Sequence, residues 1–278
     1  MNAEGNLAAE EIEWIASYAS EVAETFGVAF GCAEARLAGS MRLLQRFTDA
    51  SERVLQNGLR DLSSINEAHN ELCVANALLV DSGLRFSTVE YEPVLPGCSK
   101  SIDFRATTDE GRRFFVDVKA IQPKPTDRWD QFERAVREGW FPENVRVLLC
   151  EEGLGGELWH NMFAARGRML EYVLELEAKI RDCEIANENT IFILAFCGTG
   201  FEWRRDGLED FVSFYRNRSH RMDDPFSNAE ARYIEKNKIT LDGTIRSFAC
   251  LVRPTFNIRQ RGLNWNVLPP GPSVFGCS

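Results

Sequence analysis

The sequence predicts an α/β chain in which a mixed sheet is flanked by helices. A helical extension over residues 1–60 precedes an α/β domain over residues 61–278. Three observations predict this. Apolar residues recur at helical spacing through the first sixty positions. After them, short strand-like runs alternate with amphipathic helical ones, the order of layered α/β folds. Between Pro96 and Ala120 the stretch PGCSKSIDFRATTDEGRRFFVDVKA reads as two strands joined by a turn, each strand carrying one carboxylate amid apolar residues.

In chain order, Ile12, Ile15, Ala16, Ala19 and Val22 mark one helical stripe, and Leu37, Met41, Leu44 and Phe47 mark another. Gly27 and Gly31 are expected to break the run, giving a helical hairpin packed on the domain. The alternative is an arm that binds a partner. The next helix runs from Ser63 or Ser64 to Val80, with Ser64 to Glu67 as a capping box and Gly83 as its stop. LRFSTVEYEPVL is an edge strand ended by Pro93 and by Pro96-Gly97. Pro123 and Pro125 close the hairpin that follows. TDRWDQFERAVREGW is an amphipathic helix, NVRVLLC a buried strand, and GELWHNMFAARGRMLEYVLELEAKIRD a long helix. TIFILAFCGTG is another buried strand, GLEDFVSFYRNR and PFSNAEARYIEKN are helices, and TIRSFACLV is a late strand. The tail LNWNVLPPGPSVFGCS reads as irregular.

Composition narrows the function. The 278 residues suit one large domain, or a domain with a subdomain, and 44% hydrophobic residues supply a sizeable core. A net charge of −10 excludes a protein that coats nucleic acid through a basic surface. It leaves room for a local basic groove. The acidic N-terminus lacks the apolar region of a signal peptide. No apolar run approaches the roughly 20 residues of a membrane span, so no membrane partner is expected. Eight cysteines stand singly, with no C-x-x-C pair to suggest a zinc ribbon. Cys197 and Cys250 lie in apolar runs, as reduced, buried thiols of a cytoplasmic protein do.

The hairpin carries the chemistry. A three-residue loop Asp109-Glu110-Gly111, with Gly last, fits a turn closed by a left-handed residue. It pairs Thr108 with Arg112, and therefore Phe104 with Val116 and Asp103 with Asp117. Side chains alternate along a strand, so Asp103, Asp117 and Lys119 share one face, while Ile102, Phe104, Val116 and Val118 point into a core. Opposed residues bring their Cβ atoms to roughly 4.5–5.5 Å, where like charges destabilise the pair. A divalent cation between the carboxylates would compensate, and so would Lys119.

On these residues, SIDF with Asp103 and FFVDVK with Asp117 and Lys119, the sequence resembles the PD-(D/E)xK nuclease superfamily. Ile102 stands where that family often has Pro. The matching part runs from about Ser63 to Cys150, close to a third of the chain. The resemblance implies a restriction-endonuclease-like α/β fold and an Mg²⁺-dependent phosphodiesterase, with Mn²⁺ as a substitute metal. It implies Asp103, Asp117 and the carbonyl of Val118 as metal ligands. Lys119 would position or activate the attacking water. Glu71, on the inward side of the preceding helix, would join the metal site directly or through water, whereas Glu67 belongs to the cap. The implied partner is nucleic acid, DNA before RNA, with a homodimer as a further expectation.

Rival readings stay in view. Asp103, Asp117 and Lys119 could form a structural ion-pair network in a relative that acts through protein contacts. The three histidines, His69, His160 and His220, have no cysteine in a hydrolase motif and read as packing or surface residues. Gly198-Thr199-Gly200 lacks the residues of a phosphate-binding loop and reads as a turn. Arg204-Arg205 and the stretch Tyr215 to Arg221 are the densest basic segments and offer phosphate contacts. Trp129, Trp140, Trp159, Trp203 and Trp265 could stack bases or fill the core.

Overall fold

The N-terminal run folds as two helices, α1 (Ala9–Gly31) and α2 (Ser40–Asn57), in a computed structural model that describes residues 9–33, 36–58, 62–80, 85–95, 100–121, 134–141, 143, 156–199, 211–215, 225–245, 247–253 and 273–275. Ile15, Tyr18, Val22, Phe26 and Phe30 form the buried stripe of α1. Gly27 lies inside this helix and does not break it, and Gly31 ends it. α2 opens at Gly39, whose φ of 87° is left-handed and whose missing Cβ would lie 3.3 Å from the Tyr91 carbonyl. The remaining elements are β1 (Leu37–Ala38), α3 (Leu62–Val80), β2 (Phe86–Tyr91), β3 (Phe104–Thr108), β4 (Arg113–Ala120), α4 (Gly156–Asp182), β5 (Thr190–Thr199), α5 (Pro225–Lys236), β6 (Ser247–Arg253) and β7 (Ser273–Phe275).

The strands form one mixed sheet in the order β1 to β7. β2, β3 and β4 run as an antiparallel meander, β4, β5 and β6 are parallel, and short strands pair at either edge. Two apolar cores cover its faces. On one, α1, α2 and α3 pack over Phe86, Val89, Phe104, Val116 and Ile193. The N-terminal helices therefore bury into one core with α3 and the sheet. On the other face, Leu170, Val173, Leu176 and Ile180 of α4 pack over Phe115, Phe192, Leu194 and Phe196. With both faces covered, β4 and β5 read as near-continuous apolar runs, as buried parallel strands do. Among the described residues no helix is long and apolar enough to cross a membrane.

The hairpin takes the expected register. Phe104 pairs with Val116 and Thr107 with Arg113, and Thr108 N–H donates to the Arg112 carbonyl at 3.0 Å. Gly111 closes the loop at φ 79° with open space around it. An alanine there meets no neighbour and suffers only the left-handed backbone. Gly111→Ala is expected to lower stability by about 1 kcal/mol, read as a drop in melting temperature.

Several expectations are corrected. Ile102 does not share a core with Phe104: it packs in the α4 core, because regular strand geometry begins only at Phe104. α3 starts at Leu62, so Ser64 lies in the first turn and not at its cap. Gly198 and Thr199 extend β5 beside β6 rather than forming a turn. Ser273–Phe275 in the tail pairs with β6. Cys73 and Cys197 are buried thiols, whereas Cys183 is in a disulfide. Of the helix expected over residues 126–140, 134–137 are described as helical. The strand expected at 144–150 lies outside the described residues, as do Gly83, Pro123 and Pro125.

Two buried polar contacts fix α4. Arg166 holds Glu230 of α5 through two hydrogen bonds, of 2.7 and 2.9 Å. Glu177 accepts from the Tyr215 hydroxyl at 2.5 Å and from the backbone N–H groups of Asp242 and Gly243. These bonds satisfy charges that burial would otherwise penalise, and they set where α4 presents its sheet-facing side chains.

Candidate functional site

Alternation along β4 sends Val116 toward the core of α1 to α3 and Asp117 toward α4. Asp103 precedes β3 by one residue. Its carbonyl still accepts from Glu92 N–H at 2.8 Å, which holds its backbone beside β2. Its carboxylate accepts from the Val118 N–H of the neighbouring strand at 2.6 Å.

Asp117 is wholly buried, at 0% exposure. Its Oδ1 accepts from Lys179 Nζ of α4 at 2.9 Å. Its Oδ2 pairs with Lys119 Nζ at 3.1 Å and has no other polar partner. Lys119 is also 3.8 Å from Glu175 and sits over the Tyr172 ring, whose hydroxyl donates to the Ala120 carbonyl. Two carboxylates thus face two ammonium groups. Burial, then the charge of Asp117, pushes the Asp103 carboxyl up to about 6, against the Val118 N–H and the two lysines. For Lys119, burial opposes the charge, but Asp117 and Asp103 outweigh it and hold the ammonium above its ordinary value.

Glu71 faces inward from α3 and is buried, while Glu67, one turn earlier, is exposed. Its Oε2 accepts from the Tyr91 hydroxyl at 2.8 Å, and its Oε1 pairs with Arg46 of α2 at 2.9 Å. Burial first, and the charge of Asp103 second, push its carboxyl up to about 8, with Arg46 and Tyr91 working the other way. Burial and the adjoining Glu71 likewise raise the Tyr91 hydroxyl.

The structure therefore brings Asp103, Asp117 and Lys119 together and couples Glu71 to them through the charge of Asp103. Among the described residues, no group of three or more His, Cys, Asp or Glu side chains is placed to hold a metal ion. Glu71 is engaged by Arg46 and Tyr91 instead of lying beside Asp103 and Asp117 as a third donor. Val118 contributes an N–H to Asp103 here, whereas the resemblance implies its carbonyl as a ligand. The carboxylates of Asp103 and Asp117 are oxygen donors of the hard type, and each Asp117 oxygen faces a lysine ammonium.

The sequence reading missed Lys179, Arg46 and Tyr91. Arg168, Tyr172, Glu175 and Lys179 recur at helical spacing beside the apolar stripe of α4, which was the available signal. That spacing names the stripe but not the strand it meets. Arg204-Arg205 and residues 216–221 lie outside the described residues, and Tyr215 is buried against Glu177. Trp140 is buried beside Tyr233, not exposed for base stacking; the side chains of the other four tryptophans named above lie outside the described set. His69 is buried, with Nδ1 2.8 Å from the Tyr18 hydroxyl, as a packing residue. The side chains of His160 and His220 lie outside the described set. Comparison of the chain with protein-family models, with curated proteins and with solved structures finds no match, which leaves its own residues as the ground for function.

Proposed function

We propose that the protein is a metal-dependent nuclease on a restriction-endonuclease-like core, hydrolysing phosphodiester bonds of nucleic acid, DNA before RNA. One observation carries the reading: the Asp103 carboxylate is held by the N–H of Val118, the residue after Asp117, and the Lys119 ammonium lies 3.1 Å from Asp117. The succession α3, β2, β3, β4, α4, β5, an antiparallel meander followed by a helix and a strand parallel to β4, supports the fold assignment. Asp103 and Asp117 would hold Mg²⁺ or Mn²⁺, with Glu71 as an accessory carboxylate and the Val118 carbonyl as a further oxygen. When bound, the metal supplies Lewis acidity and a water of lowered pKa. Lys119 orients or deprotonates that water and offers its charge to the phosphate. A cytoplasmic setting agrees with buried thiols at Cys73 and Cys197, and the disulfide at Cys183 weighs against it.

Incubation with single- and double-stranded DNA and RNA tests the reading. Wild type is expected to cleave at least one of them only when Mg²⁺ or Mn²⁺ is present. Lys119→Ala is expected to lower the rate at least about a hundredfold. Metal-independent or absent cleavage by wild type would sink the proposal.

A second reading has its own support. Asp117 is fully buried and lies between two lysines, as in a structural ion-pair cluster. The protein would then be an inactive relative that works through protein contacts. In that case Lys119→Ala changes stability and nothing else, and metal leaves the melting temperature unmoved.

A further inference from the structure

We propose that Lys179 is the resident counter-cation of the Asp103–Asp117 site, and that a divalent cation must displace it to bind. The inference rests on the metal-dependent reading above. The two lysines match the charges of the buried pair Asp103 and Asp117, and the third carboxylate, Glu175 beside Lys119, is mostly exposed and screened by water. Adding a divalent cation beside both lysines would leave excess positive charge around a wholly buried aspartate. One lysine has to leave.

Geometry selects Lys179. Lys119 is fixed by β4 and engages Asp117, Glu175 and the Tyr172 ring. Lys179 reaches across from α4, and Asp117 is its one ion-pair partner among the described residues. It donates directly to Oδ1, so its departure frees that oxygen of Asp117 while Lys119 stays on Oδ2. Its side chain keeps 18% exposure, a route by which the ammonium returns to water. Glu175, one turn back on the same helix face and mostly exposed, offers it a new anion. Lys179 is thus a positioning residue: it holds Asp117 in place without cation and sets the threshold at which cation enters.

The test is calorimetric titration of the full chain with Mn²⁺, without nucleic acid, for wild type, Lys179→Gln and Lys179→Arg. Lys179→Gln is expected to bind Mn²⁺ at least about tenfold tighter than wild type, because the competing charge is gone. Lys179→Arg keeps the charge and is expected to bind no tighter than wild type. Should Lys179→Gln be too unstable for calorimetry, a larger Mn²⁺-induced rise in melting temperature than in wild type is the equivalent result. Equal affinity in wild type and Lys179→Gln overturns the inference and leaves the metal-dependent reading standing. No Mn²⁺ binding in any of the three overturns both.

Discussion

Asp117→Ala is expected to lower the stability of the fold by about 3 kcal/mol, the lower end of the range for breaking a buried ion pair. The variant leaves Lys119 and Lys179, at 20% and 18% side-chain exposure, without the buried carboxylate that pairs with both, and only Asp103 and the exposed Glu175 remain as anions nearby. Each has a long aliphatic stem that can carry part of the charge toward water, which is why the lower end applies. Asp103 offsets only part of the loss: its charge also faces both lysines, while its carboxylate keeps the Val118 N–H. Urea denaturation at pH 7 measures the loss. A loss below about 1 kcal/mol would mean that both lysines escape to solvent and that the cluster does not hold α4 against the sheet. The triple replacement Asp117→Leu with Lys119→Met and Lys179→Met separates the terms: it removes all three charges and should recover most of the loss. Lys119→Ala is therefore the cleaner probe of activity, since it keeps Asp117 paired through Lys179.

The parts of this site that were legible in the sequence are those set by local rules. A Gly at the third loop position sets the hairpin register, and strand alternation then puts Asp117 and Lys119 on one face. Helical spacing to Val74, Ala75 and Leu78 points Glu71 inward, whereas the capping box assigned to Glu67 is not borne out by the helix start at Leu62. What was not legible depends on contacts between distant segments. Lys179 is 62 positions beyond Asp117, and nothing in the spacing of α4 says which strand its polar stripe will meet. Arg46 lies in a segment whose apolar stripe is readable, but its reach to Glu71 depends on how α2 docks against α3. Ile102 failed for a different reason. Alternation holds only inside a regular strand, and β3 begins two residues later, so the rule was extended past its domain. The compensation for opposed carboxylates was anticipated from like-charge repulsion alone; its identity, a second lysine from a helix, was not.

Glu71→Gln is expected to stabilise the protein at pH 8.5 and to leave it unchanged near pH 4. The Glu71 carboxyl stands at about 8 in the fold against an ordinary 4.5, and Asp103 at about 6 against 3.8. Both values are raised, so the fold prefers the protonated forms. Their contribution to stability is complete below the ordinary values and is lost as pH rises, through about 6 for Asp103 and about 8 for Glu71. At 1.36 kcal/mol per pH unit, the span from 4.5 to about 8 is on the order of 5 kcal/mol for Glu71. Gln keeps an oxygen for the Tyr91 hydroxyl, and Arg46 retains Glu92 at 3.7 Å and its own exposure to water. Urea denaturation from pH 4 to 8.5 should show wild-type stability falling from about pH 4.5 to about 8, most steeply below about 6 where both carboxyls contribute, and a flatter profile for the variant above about 6. A variant less stable than wild type at pH 8.5 would instead show that Arg46 and Tyr91 hold Glu71 charged. The sign bears on function. Desolvation raises both carboxyls, with the charge of Asp117 adding to Asp103 and the charge of Asp103 adding to Glu71, and a cation beside Asp103 would offset these repulsions. Metal entry would therefore release protons near pH 7, so the heat of Mn²⁺ binding should change between buffers of different ionisation enthalpy.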